Sequence, residues 1–248
     1  MNLILQGLQW IFDPAHWSTG GGTVPIGARI GEHLYYTGVS LLVTVLIAVP
    51  LGLVIGHTGR GRGVAIVVSN AARALPTLGL YAALLLALGF GLAPIAIVLV
   101  ILGIPPLLAG VYAGIESVDP QTVDAARAMG MTESQILFTV EIPLGLALIL
   151  GGFRSAALQL IATVTIAGYF GFGGGLGHYL TFGLSQNDYP QMVAGAILVI
   201  ALALAVDGIL AVIQRFAVPR VSRGTTGTAR RGAIPSPAQT RALIKEGQ

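Results

Sequence analysis

Five stretches of this chain run for more than about 20 residues on almost nothing but apolar side chains, the length a helix needs to cross a bilayer: Leu34 to Gly56, Val64 to Phe90, Leu92 to Ile115, Leu144 to Phe170 and Met192 to Ile213. The runs are continuous and show no period-two alternation, so a membrane β-barrel is excluded. Composition agrees. Of 248 residues 54% are hydrophobic and only 9% charged, against about 25% charged in an ordinary soluble domain. So few charges cannot cover a globular surface. The fold expected is an all-α integral membrane protein with five spans and no separate soluble domain. The second span is polar in its first half (Ser69, Asn70, Arg73) and is interrupted at Pro76, and the third carries Pro105 and Pro106.

The ends are of a different kind. Residues 1–33 form an extracytoplasmic or interfacial segment, opening with MNLILQGLQWIFDPAHW. This start has neither the basic flank nor the small-residue cleavage site of a signal peptide, and reads as a short interfacial helix with Trp10 and Trp17 at headgroup level. Residues 215–248 form a basic tail rich in Gly, Thr, Pro, Ser and Arg, of a composition that favours disorder. Its arginines have two readings, a solvated tail that sets topology or a contact with anionic membrane lipid.

The transmembrane core is then 34–214, and its basic residues orient it. Arg60, Arg62, Arg127, Arg215, Arg220, Arg223, Arg230, Arg231, Arg241 and Lys245 share one side of a five-span topology, and Arg29 alone lies on the other. Positive charge is retained in the cytoplasm, so the N-terminus is expected outside and the C-terminus inside.

One polar segment, 116–143, breaks the apolar pattern on the cytoplasmic side. Asp119-Pro120 has the form of a helix start, Asp at the N-cap and Pro at the first helical position. Gly130 falls where a helix end wants a left-handed residue. Thr132 and Gln135 have the spacing of a capping box that opens a second helix toward Glu141, and Pro143 marks entry to the next span. The product is a helix–Gly–helix elbow. Ala125, Ala126 and Ala128 leave room for another protein surface to approach, and on the residues alone a docking site and a plain connector both stand.

Three charges lie inside the spans, where ionisable groups are costly: Arg73, Arg154 and Asp207. Counted along straight helices they fall in one layer, roughly 10–17 Å from the cytoplasmic face. Two readings follow: Asp207 pairs with Arg154 or Arg73 and fixes helix packing, or the three line a translocation path. Elsewhere little chemistry is visible. GYFGFGGGLG (168–177) follows a membrane helix and lacks the GK[ST] end of a phosphate loop, so it reads as a flexible or re-entrant link at the outer mouth. His16, His33, His57 and His178 lack metal-ligand spacing, no Ser/His/Asp arrangement is present, and the chain contains no cysteine. No metal site, no enzyme activity and no nucleic-acid partner are expected.

The run DAARAMG, nine residues, then Val140-Glu141-Ile142-Pro143 resembles the EAA motif of type I ATP-binding-cassette (ABC) importer permeases, with Asp124 in place of the usual Glu. In order, ALPTLGLY, GIPPLLAGVYAGIESVDP, DAARAMGMTESQILFTVEIPLGL, GGFRSA and GYFGFGGGLG resemble the permease subunit of glycine betaine/carnitine/choline uptake systems. The resemblance implies that the elbow is a coupling helix. Asp124, Ala125, Ala126, Arg127, Gly130, Met131, Ile142 and Pro143 would then meet a cytoplasmic ATPase subunit. ATP and magnesium would be held by that partner, since no Walker motif is present here. A second permease subunit, identical or homologous, and an extracytoplasmic solute-binding protein complete the expected assembly. Alternatives are a permease for another small solute such as an amino acid, a stand-alone secondary transporter and a membrane scaffold; the absence of an internal repeat speaks against the second.

Overall fold

The computed structural model describes residues 2–18, 24–170 and 174–218. Every regular element among them is helical. In chain order the α-helices are α1 (Leu3–Phe12), α2 (Ile26–Thr58), α3 (Arg62–Ala74), α4 (Thr77–Leu88), α5 (Leu92–Glu116), α6 (Pro120–Ala128), α7 (Glu133–Ile136), α8 (Ile142–Ala167), α9 (Gly177–Ser185) and α10 (Tyr189–Ala217). A single π-helical turn, Leu137–Glu141, joins α7 to α8. Four helices are long and apolar enough to cross a membrane, and the bent pair α3–α4 makes a fifth if it is one span. The multi-pass, all-α expectation is met. The tail from Pro219 lies outside the described residues.

Centre and edge differ in burial. α5 is the hub, packed between α2 and α8 with half of its apolar window buried. Val98, Leu99 and Leu102 pack with Leu160, Val164 and Tyr81, while Leu107, Leu108 and Val111 pack with Ala48 and Ala156. Lipid gives no hydrophobic drive for helices to associate, so close packing of small residues has to supply it. Here it does. Gly110 and Gly114 of α5, spaced as small-xxx-small, lie against Gly152 and Gly145 of α8, and a Cβ on Gly152 would stand 2.7 Å from the Gly110 Cα. On the other side Gly52 and Gly56 of α2 receive Val111 and Ile115, each of whose Cβ would be 2.7 Å from a Cβ added to the glycine.

α2 begins at Ile26, eight residues before the apolar run does. Its polar first turns are met in part within the protein, with Nε of Arg29 and Nδ1 of His33 buried and without a hydrogen-bond partner among the described residues. Arg29 pairs with Glu32 at 2.8 Å, and the fully buried His33 donates from Nε2 to the Ile161 carbonyl at 3.0 Å. Apolar content alone does not mark where such a helix starts.

The second span is broken. A residue before proline is driven out of the helical region, and Leu75 is extended at φ −66°, ψ 130° ahead of Pro76 at φ −68°, ψ 111°. The chain turns through 87° there.

At the opposite end α1 and α9 pack on α10, with Gly7 against Val193 and Gly195 against Leu180. Trp10 stacks on His16 at 3.8 Å and meets Tyr179 edge-on at 5.2 Å, while Trp17 is half exposed. Of the glycine-rich run, residues 171–173 lie outside the described residues. Gly175 and Gly177 are packed backbone-close against His33 and Thr165, so the described part of this link is tightly fitted.

Candidate functional site: a capped elbow and two sets of charges

The elbow folds as its capping residues dictate. The Asp119 carboxylate accepts from the Gln121 N–H at 2.8 Å, with Pro120 at the first helical position. α6 runs to Ala128, and Gly130 turns left-handed at φ +86°. The Gly130 and Met131 amides then cap the Arg127 and Ala126 carbonyls at 3.0 and 3.3 Å. Thr132 and Gln135 close a reciprocal capping box, Gln135 N–H to Thr132 Oγ1 at 3.3 Å and Thr132 N–H to Gln135 Oε1 at 2.8 Å. The second helix does not stop before the span. Pro143 has no N–H, and its ring would strike the carbonyl four residues back, so the helix widens. The Ile142 N–H reaches the Leu137 carbonyl and the backbone continues from Glu133 to Phe170 without a break.

Charges tie the two halves of the elbow together and fasten both to α2. Arg127 grips Glu133 through Nε at 2.8 Å and a terminal nitrogen at 3.0 Å, and its other terminal nitrogen holds Asp124 at 3.0 Å. The hydrogen-bonded Glu133 carboxylate holds the Arg127 guanidinium above its ordinary value. Glu133 also lies 3.3 Å from Nε2 of His57, at the last turn of α2, and Nδ1 of His57 stands 2.6 Å from Glu141. Glu141 is 5% exposed, so its carboxylate depends on that histidine. The chain Asp124–Arg127–Glu133–His57–Glu141 thus spans 84 residues of sequence between its most distant direct partners.

Of the residues expected at a docking surface, Asp124, Ala125, Arg127 and Gly130 are exposed, Met131, Ile142 and Pro143 are half-buried and Ala126 is buried. An open hollow of about 400 Å³ beside α6 is lined by Ala125, Ala126, Met129 and Met131, among others. Sequence reading passed over three participants. Met129 and Phe138 are large apolar side chains, 76% and 63% exposed on the elbow. His57 was set aside because it lacks metal spacing; the usable signal was a carboxylate, Glu141, at the mouth of an apolar helix, which requires a partner.

The intramembrane charges are not one group. Asp207 Oδ1 accepts from Arg154 Nε at 2.9 Å and from a terminal nitrogen at 2.7 Å. The remaining terminal nitrogen donates to Gln214 Oε1 at 3.1 Å. Arg73 is elsewhere. It lines a separate cavity with Thr77 and Gln159, exposed, with no carboxylate within reach among the described residues. Of the two partners expected for Asp207, Arg154 is the one it meets, and Arg73 stands apart from the pair.

The described core is multi-pass and helical, with a capped, charge-braced elbow before its fourth long apolar stretch, and its class follows from comparison with known proteins. The chain belongs to the family of binding-protein-dependent transport system inner membrane components, whose family model matches residues 48–223. It is 33% identical over 196 residues to the glycine betaine/carnitine/choline transport system permease protein OpuCB of Bacillus subtilis, covering 79% of this chain and 90% of that one. It is 31% identical over 197 residues to the osmoprotectant import permease protein OsmW of Salmonella typhimurium, covering 76% and 90%. In fold it is similar to the inward-facing MetNI methionine ABC transporter, with a TM-score of 0.68 at 21% identity over 78% of this chain and 96% of that one. The expectation of an ABC importer permease subunit, related to osmoprotectant uptake permeases, is met, and the chain is a transporter component and not an enzyme.

Proposed function

We propose that this chain forms half of the membrane pathway of an ATP-driven importer for a small osmoprotectant such as glycine betaine, carnitine or choline. Two copies, or this chain and a homologue, enclose the path. A cytoplasmic ATPase subunit binds ATP and magnesium, and an extracytoplasmic binding protein delivers the solute. The N-terminus lies outside and the elbow and tail inside the cell membrane, on the ten-to-one division of basic residues.

The observation that carries the reading is the elbow. Its exposed face offers Met129, Phe138, Asp124 and Arg127 to a partner, apolar anchors beside charges. Its inner face is held to α2 by His57 and runs without a break into α8. A push on the elbow therefore reaches two membrane helices. Asp124, Ala125, Ala126, Arg127, Gly130 and Met131 form the docking segment, and Ile142 and Pro143 its junction with the span.

Reconstitution tests this. Uptake of labelled glycine betaine, carnitine or choline into proteoliposomes is expected only when ATPase, binding protein and ATP are all supplied. Accumulation by this chain alone in energised vesicles would make it a secondary transporter. Because the chain has no cysteine, Gly61→Cys and Gln186→Cys report topology without background. An impermeant thiol reagent should reach the first only from the cytoplasm and the second only from outside; the reverse pattern overturns the orientation.

A further inference from the structure

Arg73 and Arg154 are both cations within apolar spans, and only one of them is neutralised. Arg154 has Asp207 at 2.7 Å. Arg73 has no ion-pair partner among the described residues, and it sits in the last turn of α3, next to the extended break at Leu75 and Pro76. It lines a cavity of about 350 Å³ together with Leu75, Thr77, Leu102, Pro106 and Gln159. That volume is at the small end of ligand pockets. The polar groups on its wall are a guanidinium, a hydroxyl and an amide, with no carboxylate. The Gln159 amide N–H₂ already donates to Thr163 Oγ1 at 3.3 Å, which turns its amide toward a fixed place.

An ionised group in a span is costly unless something of opposite charge meets it. Among the described residues that partner is present for Arg154 and not for Arg73. A cavity with one cation and no acid repels a bare cation and attracts an anion. An arginine fork takes a carboxylate through two parallel hydrogen bonds. Among the proposed substrates, glycine betaine and carnitine carry a carboxylate, whereas choline ends in an alcohol. Their methylated ammonium has no N–H to satisfy and can lie against the apolar walls supplied by Leu102 and Pro106.

We infer that Arg73 receives the carboxylate of the transported solute in this cavity, so that the pathway selects carboxylate-bearing zwitterions over choline. The inference rests on the osmoprotectant reading above and sharpens it. Arg73 is a specificity residue, and the Arg154–Asp207 pair is structural.

Thr77→Cys puts the only thiol of the chain on the cavity wall. In the complete permease–ATPase complex, its modification by a methanethiosulfonate reagent is followed with glycine betaine or choline chloride added. Glycine betaine should slow the reaction, and choline at the same concentration should not. Adding Arg73→Gln should raise the glycine betaine concentration for half-protection about tenfold, the factor that one charged hydrogen bond is worth. Arg73→Lys should recover part of the protection. Equal protection by both solutes, protection unchanged by Arg73→Gln, or protection by neither overturns the inference. Uptake by the wild-type importer is measured in parallel. Glycine betaine uptake without the protection pattern sinks the Arg73 site alone. The protection pattern without uptake of any osmoprotectant sinks the transport reading and leaves a carboxylate site.

Discussion

α5 and the elbow that follows it use glycine for opposite reasons. In α5, Gly110 and Gly114 are present for what they lack: a Cβ at Gly114 would sit 2.7 Å from Ile149 Cγ1, and α8 could not come so close. At Gly130 there is open space, with no atom within 4 Å of an added Cβ, and the requirement is the backbone angle of +86°. The first kind of glycine holds helices in contact. The second shapes a surface and touches nothing. Damage at the two places should therefore differ in kind: loss of folding at the seam, loss of coupling at the elbow.

The largest effect is expected at the seam. Gly110→Leu should give no recoverable folded permease, and Gly110→Ala should destabilise by about 1–3 kcal/mol, the usual cost of overpacking, read by thermal unfolding in detergent. Normal folding of Gly110→Leu would mean that the α5–α8 contact is looser than described. Next come Gly130→Val and Asp124→Lys. Forcing a side chain into the left-handed region costs about 1–2 kcal/mol at one residue, too little to unfold the spans. Both variants should insert at wild-type levels and lose ATP-driven uptake. Uptake preserved in the double variant would reduce the elbow to a connector.

A smaller effect separates the two sets of charges. Asp207→Asn strands Arg154 without a carboxylate and should cost about 1–2 kcal/mol, discounted from the fully buried case because both side chains keep about 30% of their exposure. Arg154→Gln in the same chain should restore most of it, whereas an additive double variant would show that the pair does not matter. The smallest effect lies one residue from the seam. Gly151 has nothing within 4 Å of a Cβ, while its neighbour Gly152 meets Gly110. Gly151→Ala should be neutral or stabilise by up to about 1 kcal/mol; a loss comparable to that of Gly110→Ala would mean that the wrong face of α8 was assigned to the contact.

What could be read in advance was whatever is local. The Asp119 cap, the Gly130 turn and the Thr132–Gln135 box each involve residues two to four apart, and each stands where spacing put it. The interruption at Pro76 was legible for the same reason, though not its 87° angle. Pairings across the fold were not. Nothing in the spacing says that His57 meets Glu141 or that the Gly110 face of α5 meets the Gly152 face of α8, because many apolar helices could pack several ways and only the assembled bundle chooses. The apolar run from Leu34 does not show that α2 starts at Ile26, because the Arg29–Glu32 pair and the bond from His33 to the Ile161 carbonyl let polar residues extend the helix ahead of it.

The unbroken helix from Glu133 to Phe170 is, mechanically, a lever arm. Its 38 residues span roughly 55 Å at the standard helical rise. With the contact at Gly152, near its midpoint, as the pivot, a tilt of about 5° would carry each end sideways by about 2–3 Å. Past the π-helical turn at Leu137–Glu141 the rod is continuous, and the fulcrum falls where Gly110 and Gly152 touch, one of the places where backbone meets backbone with no side chain to cushion it. A stroke on one side of the bilayer would thus be delivered to the other at about the same size and in the opposite direction.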